Sequence, residues 1–261
     1  MKTRSFLLQM AVLIALSSFS CEKEEEVNLV IAKTTFSKEN VIAYFPFNGN
    51  ASNVSDRRSN GSVFGAVPTT GRNDESNGAY LFDGIDDYIH LPVETSLNTD
   101  SSFSIETWIY KDCHTADAKY NDDGIFGQSD GHLGSDFPLV RLEVHPDKTI
   151  RGVIRGSANP VLEVRPDDTI ENHTWHHIVL ARNPEENSLS LYLDGKLISK
   201  SKTSLVGNTS TNDFVSVGAV FDDLQQLYHF YCGKIDMIRF WNISLTETDA
   251  TELKNDNYVI K

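Results

Sequence analysis

Glu143, His145 and Asp147 stand at alternate positions, and alternation along a strand places side chains on one face. Two carboxylates and an imidazole on one face could share a proton or hold a ligand. Pro146 interrupts the series, because proline cannot continue a strand ladder, and it places Asp147 in a turn. Arg141, Arg151 and Arg155 flank the same stretch, and a guanidinium is suited to carboxylates and other anions. If Val140, Leu142 and Val144 face a core, Ile150, Gly152 and Ile154 share that face, and the expected register sets Arg141 opposite Arg151. Like charges paired across strands destabilise unless something compensates. Glu143 could do so, or an anionic ligand such as an acidic polysaccharide; the plain alternative is a row of solvated arginines. A second candidate recognition surface is the segment from Lys111 to Phe137, dense in Asp, Gly and His, with Tyr120 and His132 expected to be exposed at the end of the fold.

Other chemistry-bearing pairs have structural readings. His176 and His177 are adjacent, so a strand sends them to opposite faces and they cannot share one metal ion. They are expected to be structural, with Trp175 near the core, and Trp108 and Trp241 are expected to pack. There is no Gly-x-Ser-x-Gly elbow, phosphate loop or His-Glu-x-x-His pair.

The formal charge is −14 over 261 residues, which excludes the clustered basic surface that nucleic acid binding needs. Aspartate and asparagine on loops are instead what calcium sites are made from. The N-terminus carries Lys2 and Arg4, and the stretch Phe6 to Leu16 is apolar apart from Gln9. It is too short to cross a bilayer and suits a signal-peptide core. Ser17, Ser18 and Ser20 then lead to Cys21, which resembles a bacterial lipoprotein signal in which the cysteine is acylated; a plain secretory signal is the alternative. Cleavage before Cys21 would remove two cations and no anions, moving the charge from −14 to −16. Glu22-Lys23-Glu24-Glu25-Glu26 should stay solvated. It resembles the acidic tag of surface-exported lipoproteins of some Gram-negative bacteria, or it is a spacer. The expected organisation is a signal over 1–20, an acidic flexible tether over 21–39 and one domain over 40–261. The expected location is the outer membrane, through a lipid anchor and possibly facing outward.

The elements that must position these residues are strands. Val41–Phe45, Ala79–Phe82 and Tyr88–Leu91 are short β-prone runs broken by Pro46 and Asp83-Gly84. From Phe103 to Tyr110 the chain alternates, with Phe103, Ile105, Thr107 and Ile109 on one face and Ser104, Glu106, Trp108 and Tyr110 on the other. Leu139–Val144 with Thr149–Arg155, and Trp175–Ala181 with Ser188–Leu193, read as hairpins, and Asp194-Gly195 turns the chain again. Val215–Gly218 and Ile235–Trp241 complete the set. Thr246, with Asp249 three residues on, caps one short C-terminal helix. Many short strands and almost no helical period predict an all-β, two-sheet antiparallel sandwich or jelly roll.

Four segments carry a family resemblance: Tyr44-Phe45-Pro46-Phe47-Asn48-Gly49-Asn50-Ala51; Leu81-Phe82-Asp83-Gly84-Ile85-Asp86-Asp87-Tyr88-Ile89; Trp175-His176-His177-Ile178-Val179 with Leu191-Tyr192-Leu193-Asp194-Gly195-Lys196; and Gly233-Lys234-Ile235-Asp236-Met237-Ile238-Arg239-Phe240-Trp241-Asn242. In this order they resemble the laminin-G-like, concanavalin A-type jelly roll over about residues 41–255. Such folds carry lectins, adhesion modules and catalytic domains alike, so the resemblance implies fold more than function. It implies a glycan or a cell-surface protein as partner. The E-x-D-x-x-E arrangement of related glycoside hydrolases is missing, which favours a non-catalytic module, lectin-like or alternatively protein-interacting, over a hydrolase. The resemblance further implies a structural Ca²⁺ where the first strand's exit loop meets the last strand, with Asn48, Asp56, Asp83 and Asp236 as ligands. Finally, it makes the strands ending at Cys113 and beginning at Cys232 antiparallel neighbours, so that the two cysteines can form a disulfide.

Overall fold

A computed structural model describes residues 34–56, 59–113, 122–129, 140–155, 161–202, 214–221, 226–256 and 258–260. The strands are β1 (Thr34–Phe36), β2 (Val41–Phe45), β3 (Ser62–Phe64), β4 (Val67–Thr69), β5 (Ala79–Asp83) and β6 (Tyr88–Leu91). The middle of the chain holds β7 (Phe103–Lys111), β8 (Asp123–Ser129), β9 (Val140–Val144), β10 (Ile150–Arg155) and β11 (Val161–Val164). β12 (Trp175–Asn183), β13 (Ser188–Leu193) and β14 (Lys196–Lys202) form a meander. β15 (Phe214–Val217), the paired β16 (Val220–Phe221) and β17 (Leu227–Tyr228), and β18 (Cys232–Trp241) precede α1 (Glu247–Lys254) and β19 (Tyr258–Ile260).

Two antiparallel sheets face each other. One runs β14-β13-β12-β7-β18-β5-β4, with β2 also on β18; the other runs β11-β10-β9-β8-β15-β6-β3. This is the expected all-β jelly-roll sandwich with one short C-terminal helix. Its core is what period two predicts: Phe103, Ile105 and Ile109 of β7 are buried with Val140, Leu142 and Val144 of β9 and Ile178 and Leu180 of β12. Each such side chain contributes roughly 1.5–3 kcal/mol on burial. Asp194 and Gly195 take positive φ, 50° and 82°, as a two-residue hairpin turn requires. Thr246 and Asp249 form a reciprocal capping box at α1. Among the described residues no helix is long and apolar enough to cross a membrane.

Cys113 and Cys232 are joined by a disulfide, with Cα atoms 5.4 Å apart and a separation of 119 positions in sequence. The bond ties β7 to β18, which are antiparallel neighbours.

Three expectations change. Strand β1, at Thr34–Phe36, lies ahead of the expected domain start at residue 40. β1 pairs in parallel with β19, and Phe36, 4% exposed, packs against Trp241 at 4.9 Å between ring centroids. The segment read as loop from Lys111 to Phe137 contains β8, a central strand. A bulge between Gly124 and Phe126 turns Ile125 and Phe126, adjacent in sequence, both into the core and breaks the alternation that would have marked it. Trp175 lies outside the core, half-buried against Tyr110 at 5.5 Å.

The outer face of the eight-stranded sheet is covered. Val179, Ala181, Tyr192 and Trp241 form a second apolar cluster with Leu245, and with Ala250 and Leu253 of α1.

Candidate functional site

Because Val140, Leu142 and Val144 of β9 point inward, Arg141 and Glu143 point to the outer face of the seven-stranded sheet. The register differs from the one expected by two residues. The turn from His145 to Thr149 pairs Val144 with Ile150, so Arg151 lies opposite Glu143, and Arg141 lies opposite Val153. An even shift keeps every side chain on its face and changes only its neighbours, so the expected pair of like charges is replaced by an ion pair. Arg151 Nη1 is 3.2 Å from Glu143 Oε1, and its Nη2 is 2.8 Å from Glu163 Oε2 on β11. Arg141 Nε lies 3.3 Å from Glu143 Oε2. Arg155 is on the same strand face.

Two histidines complete the cluster. His145 Nδ1 is 2.8 Å from Asp122 Oδ1, and its Nε2 is 3.6 Å from Glu143 Oε1. His229 Nδ1 is 3.2 Å from Glu143 Oε2. His229 follows the β16–β17 hairpin, which lies over β8 because Gly124 and Gly127 leave room for it. A Cβ at Gly124 would stand 2.7 Å from the His229 carbonyl oxygen, and one at Gly127 would stand 3.0 Å from Val220 Cα. The Gly124 N–H donates to the His229 carbonyl at 2.6 Å. Glu143 is fully buried and His229 is 2% exposed. Burial pushes the Asp122 carboxyl up, but the His145 hydrogen bond and the charges of His145, His229 and Arg141 outweigh it and hold it below the usual range. Glu163 is likewise held low, its desolvation outweighed by Arg151.

Following the ladder pairs from Arg141 across the sheet leads to Gly127, Ser216, His90 and Ser62, all on this face. At that end rings stack in parallel: Phe64 on Tyr88 at 4.6 Å and His90 on Phe214 at 4.4 Å. Phe64 is 44% exposed. The face therefore runs from fixed charges to aromatic surface. Guanidinium, carboxylate and imidazole groups can hydrogen-bond a polyhydroxylated ligand, and exposed rings can pack on its C–H faces.

Of the expected site residues, the structure brings together Arg141, Glu143 and Arg151. Asp122, His145, Glu163 and His229 belong with them. His145, two residues from Glu143, carried a signal of this in the alternation; Asp122 and His229 arrive by tertiary folding. Tyr120, His132 and Cys21 lie outside the described residues.

Asn48, Asp56, Asp83 and Asp236, the residues of the expected calcium site, meet different neighbours. Asp236, 2% exposed, accepts from the Arg72 backbone N–H at 2.9 Å and pairs with the Arg72 guanidinium. Burial raises its carboxyl above the usual range in spite of that pairing. Asp83 groups with Asp86 and Asp87, and no cluster of three metal-binding side chains among the described residues includes Asp236 or Asp56. Asp56 lines a shallow groove of about 180 Å³ with Lys38, Val41 and Tyr44, and Asn48 is exposed beyond Phe47. The other such cluster is Asp122, Glu143 and His229.

The two adjacent histidines go to different partners. His176 accepts from the Glu171 N–H at Nε2, so its Nδ1 carries the proton and donates to Asp194 at 2.9 Å. His177 Nε2 is 3.4 Å from Glu106. Trp108 and Trp241 are buried, as expected of packing residues.

A solved structure similar to this chain is domain 4 of AbnA, a GH43 extracellular arabinanase from Geobacillus stearothermophilus, in complex with arabinotriose. Identity is 19% and the TM-score 0.60, over 82% of this chain and 98% of that one. The binding domain of Paraclostridial Mosquitocidal Protein 1 matches at 15% identity and TM-score 0.64, over 84% of this chain and 52% of that one. The binding domain of botulinum neurotoxin DC, in complex with rat synaptotagmin II, matches at 13% and 0.62, over 85% and 52%. This chain thus spans about half the length of those toxin binding domains. At such identities the likeness is one of fold. No curated protein matches the chain. The model of the concanavalin A-like lectin/glucanases superfamily matches residues 82–251, well over half of the sequence, and the chain belongs to that superfamily.

Proposed function

We propose that this protein is a non-catalytic, lectin-like module that binds glycans on the outer face of its seven-stranded sheet and is held at the cell surface by a lipid on Cys21. The observation that carries the reading is the fixed row Arg141–Glu143–Arg151–Glu163 beside a ledge of stacked rings, on a sheet face that no α-helix covers among the described residues. The arginines and carboxylates are held in place by one another, so a sugar meets an ordered set of donors and acceptors at little entropic cost. Glu143 supports binding over hydrolysis: its oxygens are shared among Arg141, Arg151 and His229, whereas a general acid needs a carboxyl free to hold and release a proton. The likeness to an arabinanase domain solved with arabinotriose agrees with a saccharide ligand. Asp122 and Glu143, two nearby carboxylates, keep glycoside hydrolysis as a minor alternative.

A glycan array probed with the full chain tests the reading. Binding to one glycan class, lost in Arg151→Ala with the fold retained, is expected; no binding to any glycan would sink it. The toxin binding domain solved with synaptotagmin II makes a surface protein the second candidate ligand, and a clean array would favour it. Anchoring is tested separately by detergent partition, where Cys21→Ser should move the protein to the aqueous phase.

A further inference from the structure

We propose that Asp122, Glu143 and His229 form a divalent transition-metal site at the charged end of the open face, with zinc as the ion their donor set suits. Three segments distant in sequence contribute one side chain each: the residue ahead of β8, the middle of β9 and the residue after the β16–β17 hairpin. Their ligand atoms lie within 4.8 Å of one another. Tetrahedral zinc, with bonds of about 2.0–2.1 Å, sets its donors about 3.4 Å apart. Glu143 Oε2 and His229 Nδ1 are 3.2 Å apart and so already stand at that spacing. Asp122, with its side chain 19% exposed, closes the set from the rim. An imidazole with two carboxylates favours zinc over calcium or magnesium, which take oxygen donors throughout.

A second observation points the same way. Arg141 is 8% exposed, and its Nε is buried with no hydrogen-bond partner, since Glu143 Oε2 at 3.3 Å is out of line with its N–H. Buried donors are rarely left so, and this one is aimed at the cluster. Three protein ligands leave a fourth zinc position for a water or a ligand oxygen, and that oxygen is the acceptor that Arg141 lacks. Arg151 stays on Glu143 Oε1, leaving Oε2 for the ion. His145 donates from Nδ1 to Asp122 at 2.8 Å and so orients a ligating carboxylate from outside the coordination shell. Its Nε2 is also buried without a hydrogen bond, 3.6 Å from Glu143 Oε1.

The site goes beyond the lectin reading and stands without it. The test is calorimetric titration of the chelator-stripped, untagged full chain with zinc chloride, with cobalt(II) as a visible-absorption probe of geometry. One zinc per chain and a tetrahedral cobalt spectrum are expected. Asp122→Asn and His229→Ala should each weaken zinc binding at least a hundredfold, and His145→Phe about 10–100-fold. Asp122→Asn is the decisive variant, because its position at the rim leaves the fold intact, which thermal melting verifies. Zinc held equally well by that variant would be surface binding and would overturn the proposal, as would no zinc at all. The glycan array, run with chelator, keeps the two readings apart: sugar binding without zinc binding sinks only the metal, and zinc without sugar sinks only the lectin.

Discussion

Glu106 and Glu143 are both buried glutamates on outward faces of strands, and each is met by arginine and histidine. What differs is what lies above them. Glu106 accepts from the Trp241 indole N–H at 2.9 Å, with Arg239 at 3.5 Å and His177 at 3.4 Å, on the face that α1 and its apolar cluster close. Burial pushes its carboxyl up, yet Arg239, His177 and Trp241 together hold it below the usual range. Glu143 sits on a face with no α-helix among the described residues, beside the β16–β17 hairpin and among arginines whose side chains reach 9% and 22% exposure. The same chemistry is thus sealed beneath a helix on one sheet, whereas on the other it lies under the β16–β17 hairpin with its arginines reaching the surface. A family resemblance cannot separate the two roles, because it reports the strands and not what packs over them.

The largest effect is expected from the bond that holds the closed sheet together. Replacing Cys113 and Cys232 with serine removes a cross-link spanning 119 residues, worth about 4–5 kcal/mol in the chain-entropy model. Urea unfolding should show that loss, with glycan and zinc binding by the folded fraction unchanged. A loss below about 1 kcal/mol would mean that the link adds little beyond the β7–β18 ladder.

Next come the two glutamates themselves. Glu106→Ala removes the buried carboxylate that Arg239, His177 and the Trp241 indole share and should cost about 3–5 kcal/mol. Glu143→Ala should cost less, about 1–3 kcal/mol, since Arg151 can turn to water and keep Glu163. Ligand binding should show the reverse order, abolished at Glu143 and retained at Glu106 by whatever fraction stays folded. Equal stability losses would remove the distinction drawn between the two faces.

A third substitution tests how the open face receives its histidine. Gly124→Ala places a Cβ 2.7 Å from a backbone oxygen that cannot turn aside. The hairpin must lift, and overpacking of this kind costs roughly 1–3 kcal/mol. His229 should leave Glu143, which would show as a changed chemical shift of its imidazole by NMR. An unshifted His229 signal would mean that the glycine is not what admits the hairpin.

These residues also mark what could be read in advance. The sandwich, the β9–β10 hairpin and the capped helix were legible because period two, turn dipeptides and cap residues are local; the cysteine pair was legible only through the family resemblance, which makes its two strands neighbours. The inward and outward faces of β9 and β10 were legible for the same reason. The register was not, since a shift of two residues leaves the hydrophobic pattern unchanged and only the five-residue turn decides it. β8 was hidden by its bulge and by two glycines whose purpose lies in another segment. Asp236 looked free for a metal because alternation shows which way a side chain points but not what meets it, and Arg72 comes from 164 residues away.

The smallest effect should come from the turn that carries His145. Asp147 accepts from the side chain and backbone of Thr149 and pairs with Arg165 at 2.7 Å; these contacts lower its carboxyl to about 2. A carboxylate whose pKa is lower in the folded chain than in the unfolded one stabilises the fold above the unfolded value, near 4, and loses that contribution as pH falls toward 2. Its side chain is 55% exposed, so solvent screening keeps the contribution near about 0.5 kcal/mol. Asp147→Asn keeps an oxygen for Thr149 but neither titrates nor pairs with Arg165. The variant should be slightly less stable than the parent at pH 7, and the gap should close between pH 4 and pH 2. A gap that persists at pH 2 would assign the effect to the turn's hydrogen bonds rather than to the charge. Because this turn sets the place of His145, zinc affinity measured in parallel at pH 7 should fall only slightly. A large fall there would show that the open face depends on its rim for rigidity, where the closed face depends on its cover.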